Sequence, residues 1–369
     1  MQAMNTPAAR DKTAYPPLLH ALLFGLAVVI VALAAAIKAR SFEPKVDQAV
    51  LDGRMAQDFE KHYDHAFPAR SFGVSLWAAI DYALFGEAQS GVVVGRDGWL
   101  YSDEEFSVGN GAKATVEHNL RLIDTVRDRL AARDVALVVA VVPAKARVYP
   151  EHLRGRQPPT LQRVLYDHAH AALVAGEIAH ADLLTPLQAG KLDEPTFLRT
   201  DTHWTPFGAR LAAQTLAATV RGELPAPETA TRYATTQEAA REHRGDLFNF
   251  LPLDPYFGWL LPPADTIVPA HTEAAGGGDL FGDAAAPRIA LVGTSNSANP
   301  AWNFAGALKQ DLGEDVANYA KDGVGPFVPM DDYLKSADFA ASPPRLIVWE
   351  IPERYLAVPQ ADTTLAAAR

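Results

Sequence analysis

This chain of 369 residues contains no cysteine. That absence excludes disulfides, a thiolate nucleophile and cysteine-bound zinc; it leaves the redox compartment open, because a cysteine-free chain survives in any of them. Long basic runs are also missing. Lys and Arg total 33 against 44 Asp and Glu, for a net charge of −11. No cluster of cations reads as a nucleic-acid surface, so nucleic acid is not an expected partner. No internal repeat is evident. The histidines, among them His168, His170, His180 and His243, show no recognised metal spacing, so neither a metal nor a cofactor is expected. What remains is an ordinary globular composition, 49% hydrophobic and 21% charged, sufficient for a large core.

One apolar run stands out. Leu18 to Ile37 is 20 residues broken only by His20, the length a helix needs to cross a bilayer. Arg10 and Lys12 precede it, and Lys38 and Arg40 follow. Basic flanks on both sides blunt the positive-inside argument. The short leading tail favours a cytoplasmic amino terminus, with everything after residue 40 outside the cytoplasm. A cleaved signal peptide is the rival reading, with Ala34-Ala35-Ala36 or Ile37-Lys38-Ala39 as small-residue cleavage sites. The run exceeds a usual signal core, so an uncleaved anchor is expected. The expected division is a tail over 1–17, an anchor over 18–37, a connecting helical segment over 38–89, one α/β domain over 90–357 and a tail over 358–369.

Within that domain, Val92 to Tyr101 reads as a hairpin turning at Asp97-Gly98. Val116, Leu120, Ile123, Val126 and Leu130 mark an amphipathic helix over Ala114 to Arg133. Val135 to Val142 is apolar on both faces, as a covered parallel strand is. Lys145 and Arg147 are expected in the loop after Pro143. A helix is expected over Thr160 to Ala175 and a short strand within Ala179 to Leu187. Thr205 and Pro206 read as N-cap and first residue of a helix through Val220. Residues 222–287, rich in Pro, Gly and Ala and containing Gly276-Gly277-Gly278, are expected to be irregular loops. Strand 288–293, a helix from Asn303 to Leu312, a strand from Val316 to Tyr319 and strand 346–350 close the series. Alternating strands and helices predict a mostly parallel central sheet flanked by helices.

Two segments carry chemistry. Arg288 to Val292 runs into Gly293-Thr294-Ser295-Asn296-Ser297, which places a serine hydroxyl at the carboxyl end of a strand, where open α/β sheets build their sites. Upstream, Asp201-Thr202-His203-Trp204 supplies a carboxylate and an imidazole two residues apart. A serine hydroxyl is a poor nucleophile at neutral pH, so a base must take its proton, and a carboxylate must orient that base. Singly, each is weak: serines and aspartates near helix starts are usually caps, and an Asp-x-His pair can also ligate a metal. The combination raises the odds of acyl transfer to or from an oxygen. An oxyanion would need donors; the backbone N–H groups of Ser295 and Asn296 are candidates, and the glycines of Gly323-Val324-Gly325 could let another backbone approach. Lys145, Arg147 and Arg354 are polar candidates near the sheet's carboxyl end, with surface cations the bland alternative. Trp204, Tyr256, Trp259 and Trp302 are candidate sugar-stacking residues, though core packing is the safer assumption for any one.

With these residues in place, the chain resembles the alginate O-acetyltransferase family of the AlgX/AlgJ type, whose domain is similar to SGNH hydrolases but carries the Asp-x-His segment before the serine. The matching stretches are Gly95-Arg96-Asp97-Gly98-Trp99-Leu100, Val142-Pro143-Ala144-Lys145, Thr200 to Thr205, Gly245-Asp246-Leu247, Gly293 to Ser297 and Trp349 to Tyr355, spanning residues 90–357. The resemblance implies an SGNH-hydrolase-like fold and acetyl transfer onto an exported bacterial polysaccharide, alginate-like or cellulose-like, through an acetyl-Ser295 intermediate, with His203 as base and Asp201 as its orienter. It also implies an inner-membrane anchor with a periplasmic catalytic domain, a multi-pass membrane O-acyltransferase as acetyl donor, and other export-complex subunits as partners. Few residues follow Arg354, so the anchored branch without a carbohydrate-binding module is the expected one. Two rivals stand beside this reading: a polysaccharide deacetylase or esterase using the same residues with water as acceptor, and a non-catalytic subunit of an export complex.

Overall fold

In the computed structural model, residues 17–43, 53–67, 69–275, 286–360 and 365 are described. Contacts divide the chain into two units, Met1–Ile80 with Pro252–Trp259, and Asp81–Leu251 with Leu260–Arg369.

In the first unit, α1 (Pro17–Ala39) is the expected apolar helix. Its stretch Leu19–Ala39 has mean hydropathy 2.6 and is only 6% buried. It is long and apolar enough to cross a membrane, and its exposure sets it apart from a core helix. The tail before it lies outside the described residues. α2 (Arg54–Ala66) carries Phe59 and Tyr63 one turn apart, stacked with centroids 6.2 Å apart. Residues 44–52 of the expected connecting helical segment lie outside the described residues. α3 (Arg70–Ile80) packs Phe72 edge-on against Tyr256.

The second unit is the α/β domain. It runs through β1 (Val92–Val94), β2 (Leu100–Ser102), α4 (Ala112–Ala131), β3 (Ala136–Val142), α5 (Lys145–Val148), α6 (Thr160–Ala175), β4 (Ala179–His180), α7 (Leu184–Gly190) and α8 (Pro206–Glu223). It continues through β5 (Tyr233–Gln237), β6 (Arg241–His243), β7 (Asp265–Ile267), β8 (Ala270–Ala274), β9 (Ile289–Val292), α9 (Ser295–Ala298) and α10 (Phe304–Leu312). It closes with β10 (Val316–Asn318), α11 (Phe327–Lys335), α12 (Ala337–Ala341) and β11 (Leu346–Pro352). Five strands form one parallel sheet in the order β10-β9-β11-β3-β4.

The continuous apolar runs follow from burial on both faces. Val138, Ala140 and Val142 of β3 turn to one side with Ile289 and Leu291 of β9, and meet an alanine-rich face of α8 and Phe304 and Leu308 of α10. Leu137, Val139 and Val141 turn to the other side with Ala290, Val292 and Trp349, and meet α4, α6 and α11. Every residue of β11 is buried, including Glu350.

Two expectations need correction. Residues 222–287 are not simply loop: β5 pairs with β8 and β6 with β7, both antiparallel. These strands are short and mostly exposed, so they lack the apolar alternation that reveals a half-buried strand. Gly276-Gly277-Gly278 lies outside the described residues. Lys145 and Arg147 occupy the short helix α5 rather than a loop, because β3 ends at Val142 and Ala144, two residues on, is already the N-cap of α5.

Parallel neighbours β9 and β11 approach closely just past their last pair, Trp349↔Val292. A Cβ on Gly293 would lie 2.5 Å from Glu350 Oε2 and 2.8 Å from Glu350 Cβ. Gly293→Ala should therefore cost about 2–3 kcal/mol, the usual scale of overpacking, read as a lowered denaturant midpoint. An unchanged midpoint would mean that the two strands separate freely at their ends.

Candidate active site

The sheet's carboxyl edge gathers the chemistry. β9 ends at Val292, and Thr294 caps α9 by accepting a hydrogen bond from the Asn296 N–H at 3.4 Å. Ser295 is thus the first helical residue, where a backbone N–H has no intrahelical acceptor. The turn is anchored from beneath by Glu350. Its fully buried carboxylate accepts hydrogen bonds from Thr294 N (2.7 Å), Thr294 Oγ1 (3.0 Å), Ser297 Oγ (3.1 Å) and Asn296 Nδ2 (3.3 Å). Burial pushes the Glu350 carboxyl up, and these donors oppose it.

Asp201 and His203 lie on a loop closed by the antiparallel bridge Phe197↔Trp204 and by Leu198 N–H donating to His203 O. The loop is pinned almost residue by residue. Lys145 Nζ donates to the carbonyls of Asp201 (2.6 Å) and Leu198 (3.0 Å) and, at 3.4 Å, Arg199. Asp265 accepts from the N–H groups of Arg199 and Thr200. Asp246 accepts from the N–H (2.9 Å) and hydroxyl (2.6 Å) of Thr202. The buried Trp204 donates its Nε1–H to Asn296 O at 3.2 Å, tying the histidine loop to the serine turn.

These restraints bring three side chains into line. His203 Nε2 is 2.6 Å from Ser295 Oγ, and His203 Nδ1 is 2.5 Å from Asp201 Oδ1. An ionised aspartate only accepts, so Nδ1 carries the proton and Nε2 is free to accept from the serine hydroxyl. Asp201 also accepts from His203 N–H (3.0 Å), Asp246 N–H (3.1 Å) and His243 Nε2 (2.8 Å). Burial raises the Asp201 carboxyl, but the hydrogen bonds from His203 and His243 outweigh it and leave Asp201 well below the usual carboxylate range. His243 is shifted the other way: its bond to Asp201 raises it above its ordinary value, against burial.

The other candidates land differently. Asn296 is buried, and its side-chain amide donates to Glu350. Lys145 is also buried, and it grips carbonyls instead of facing open space; burial pushes it down to about 8 against the pull of Glu105 and Asp201. Arg354 pairs with Glu104 at 2.9 Å, and Arg147 with Glu353 at 2.5 Å. Gly323 sits in an exposed loop after β10 at φ 75°. Trp204 is core, Tyr256 and Trp259 are exposed in the other unit, and Trp302 stacks on His203 with centroids 5.4 Å apart. Sequence reasoning gave no role to His243, Asp246 or Glu350, although Asp246 and Glu350 fall in stretches matched to the family and Glu350 is also a lone charge inside an apolar strand.

Among the described residues, Asp201, His203 and Asp246 bring three potential metal-ligand atoms within 4.8 Å. In this structure those atoms are engaged in the hydrogen bonds above. A cleft of about 1110 Å³ lies alongside, lined by residues including Trp99, Arg199, Arg210, Gln237, Trp302 and Asp311. None of Ser295, His203 and Asp201 lines it, and Trp302 is the wall it shares with the site.

Comparison with known proteins gives consistent neighbours. Residues 92–353 match the family model described as the SGNH hydrolase-like domain of the acetyltransferase AlgX. The chain is 48% identical over 347 residues to a probable alginate O-acetylase AlgJ of Pseudomonas fluorescens, covering 92% of this chain and 88% of that one. The solved O-acetyltransferase domain of Pseudomonas putida AlgJ superposes with a TM-score of 0.69 at 45% identity, over 73% of this chain and 94% of that one. Pseudomonas aeruginosa AlgX superposes with 0.56 at 27% identity, over 72% and 66%.

Lys145 offers a test of the loop's support. Lys145→Met leaves three carbonyls without their shared donor and should cost about 2–4 kcal/mol at neutral pH. Between the folded value of about 8 and the unfolded 10.5, the unfolded chain holds more protons. Wild-type stability should therefore climb relative to the Met variant as pH rises through that window. Urea unfolding at several pH values checks this; a gap that narrows with pH would contradict it.

Proposed function

The chain belongs to the AlgX family of SGNH hydrolase-like acetyltransferases, and from that premise we propose that it moves acetyl groups onto hydroxyls of an alginate-like polysaccharide through an acetyl-Ser295 intermediate. The observation that carries the reading is His203 standing between Ser295 Oγ at 2.6 Å and Asp201 Oδ1 at 2.5 Å.

In the first half-reaction, Ser295 Oγ attacks the acetyl carbonyl of a donor ester while its proton passes to His203 Nε2. The Asp201 carboxylate holds the resulting imidazolium. The N–H of Ser295, unpaired within its helix, is suited to receive the oxyanion, with the weakly engaged N–H of Asn296 beside it. Collapse breaks the donor's ester bond, and His203 returns the proton to the leaving oxygen. In the second half-reaction, a glycan hydroxyl gives its proton to His203 and attacks acetyl-Ser295. The serine then recovers its proton. With water as acceptor the same steps give a hydrolase, so the acceptor decides the activity.

Two observations favour a glycan acceptor. Relatives at 45–48% identity are named for alginate O-acetylation or O-acetyltransfer, and the cleft beside Trp302 presents amide, guanidinium and aromatic groups suited to sugar hydroxyls and carboxylates. Arg199 and Arg210 there face Glu194, Asp265 and Asp311 in the same lining, so the two guanidiniums are point contacts for sugar carboxylates within a cleft that shares the chain's acidic balance. We place the acceptor in this cleft. In the same proposal, α1 anchors the protein in the bacterial inner membrane with its catalytic domain in the periplasm. A multi-pass membrane acyltransferase supplies the acetyl group, within an alginate-modifying complex.

Purified protein given a labelled acetyl ester and oligomannuronate should transfer label to the sugar. Ser295→Ala and His203→Ala should each lose about 10³-fold or more of both transfer and ester turnover. Transfer that survives Ser295→Ala would end the serine mechanism. Ala270→Trp, which fills the cleft from β8, should cut transfer to the sugar about 10-fold while leaving ester hydrolysis within about 2-fold. Equal loss of both would take the acceptor out of the cleft.

A further inference from the structure

His203 is not the only imidazole on Asp201. His243 closes strand β6 and reaches the carboxylate oxygen that His203 does not use, Nε2 to Oδ2 at 2.8 Å. The two rings share more than the carboxylate. Trp302 lies face to face with His203, centroids 5.4 Å apart at 26°, and meets His243 edge-on at 5.4 Å and 81°. One indole thus fixes the orientation of both imidazoles. The approach of β6 is equally constrained: a Cβ on Gly245, two residues after His243, would sit 2.0 Å from the Thr200 carbonyl oxygen. Only glycine lets this segment pass so close to the catalytic loop.

We propose that His243 is a positioning residue for acetyl transfer: its imidazole fixes the Asp201 carboxylate against His203, and it makes the base one member of a coupled histidine pair. The proposal rests on the acyl-transfer reading of Ser295, His203 and Asp201.

The electrostatics follow from the surroundings. The charged groups facing His243 are Asp201 on the catalytic loop, Asp246 in the turn after β6, and Asp265 on the paired strand β7. All three are carboxylates and favour its protonated form, as its raised ionisation reflects. The His243 side chain is 22% exposed, whereas that of Asp201 is 4% exposed. The His203 side chain, at 11%, is also less exposed than that of His243. When His243 is neutral, the full negative charge of Asp201 supports the imidazolium that His203 becomes on taking the serine proton. When His243 is charged, that support is divided. Two imidazoles on one carboxylate resist being charged together, so the second proton binds at lower pH than the first.

The test compares the full-length protein with His243→Gln and His243→Leu, measuring kcat and KM for hydrolysis of a small acetyl ester from about pH 5 to 9. Gln retains an N–H donor for Oδ2 but does not titrate; Leu removes the donor. The wild-type acid limb should spread over two proton steps, and that of His243→Gln should collapse to one, with near-wild-type kcat on the alkaline side. His243→Leu should lose about 10-fold or more in kcat across the range with KM unchanged, the usual scale for removing an orienting partner. Identical acid limbs in wild type and His243→Gln would overturn the proposal, as would wild-type kcat in a folded His243→Leu. Ser295→Ala measured alongside separates the two levels: an inactive Ser295→Ala with unaltered His243 variants removes only this inference, whereas an active Ser295→Ala removes the reading beneath it.

Discussion

The site depends on a buried negative charge kept ionised. Asp201 is 3% exposed, and an unsupported carboxylate at that depth would take up a proton. Four hydrogen bonds prevent it: two from His203, one from His243 and one from the Asp246 backbone. Each donor belongs to a segment that must be held in place to give it. The catalytic loop, the end of β6 and the turn after it are therefore fixed to one another through a single carboxylate. The imidazole that faces Ser295 takes its orientation and tautomer from the same source.

Buried carboxylates repeat this device around the edge of the sheet. Glu350 holds the serine turn, Glu353 accepts from the Ala144 N–H at 2.8 Å, and Glu105 from the Ala146 N–H at 2.7 Å. The loops after β3 and β9 are thus gripped by acids from beneath, while Lys145 grips the histidine loop by its carbonyls. A site assembled from two loops on separate elements needs such restraint, since a displacement of about 1 Å at a reacting atom can cost about 10²-fold in rate. The cost falls on stability, because every one of these polar groups is removed from water. The large two-faced core, with Trp349, Phe327 and Leu130 fully enclosed, is what offsets it.

Much of this was legible in the chain because periodicity encodes burial. The strand from Ala136 and the helix over Thr160–Ala175 were readable from apolar pattern alone, and the cap at Thr205 from residue type. The serine turn and the Asp-x-His loop were readable because each ends a predicted element. His243 and Asp246 were not. They lie some forty residues from Asp201, on a ribbon whose strands are polar and exposed and so carry no periodic signal. Nothing local distinguishes a histidine that will meet a distant carboxylate from one that faces solvent. Lys145 misled for a related reason: a lysine after a strand suggests an accessible cation, and only the fold reveals that it is enclosed by carbonyls.

The proposed activity turns on one chemical event, formation of an ester bond between an acetyl group and the Ser295 hydroxyl. The most direct measurement is to quench the protein during turnover of an acetyl ester and map the adduct by peptide mass spectrometry. The account predicts one acetyl group, on the peptide and residue of Ser295, which disappears when oligomannuronate is added and reappears on the sugar. Turnover with Ser295 unmodified and the acetyl group on another residue would contradict it.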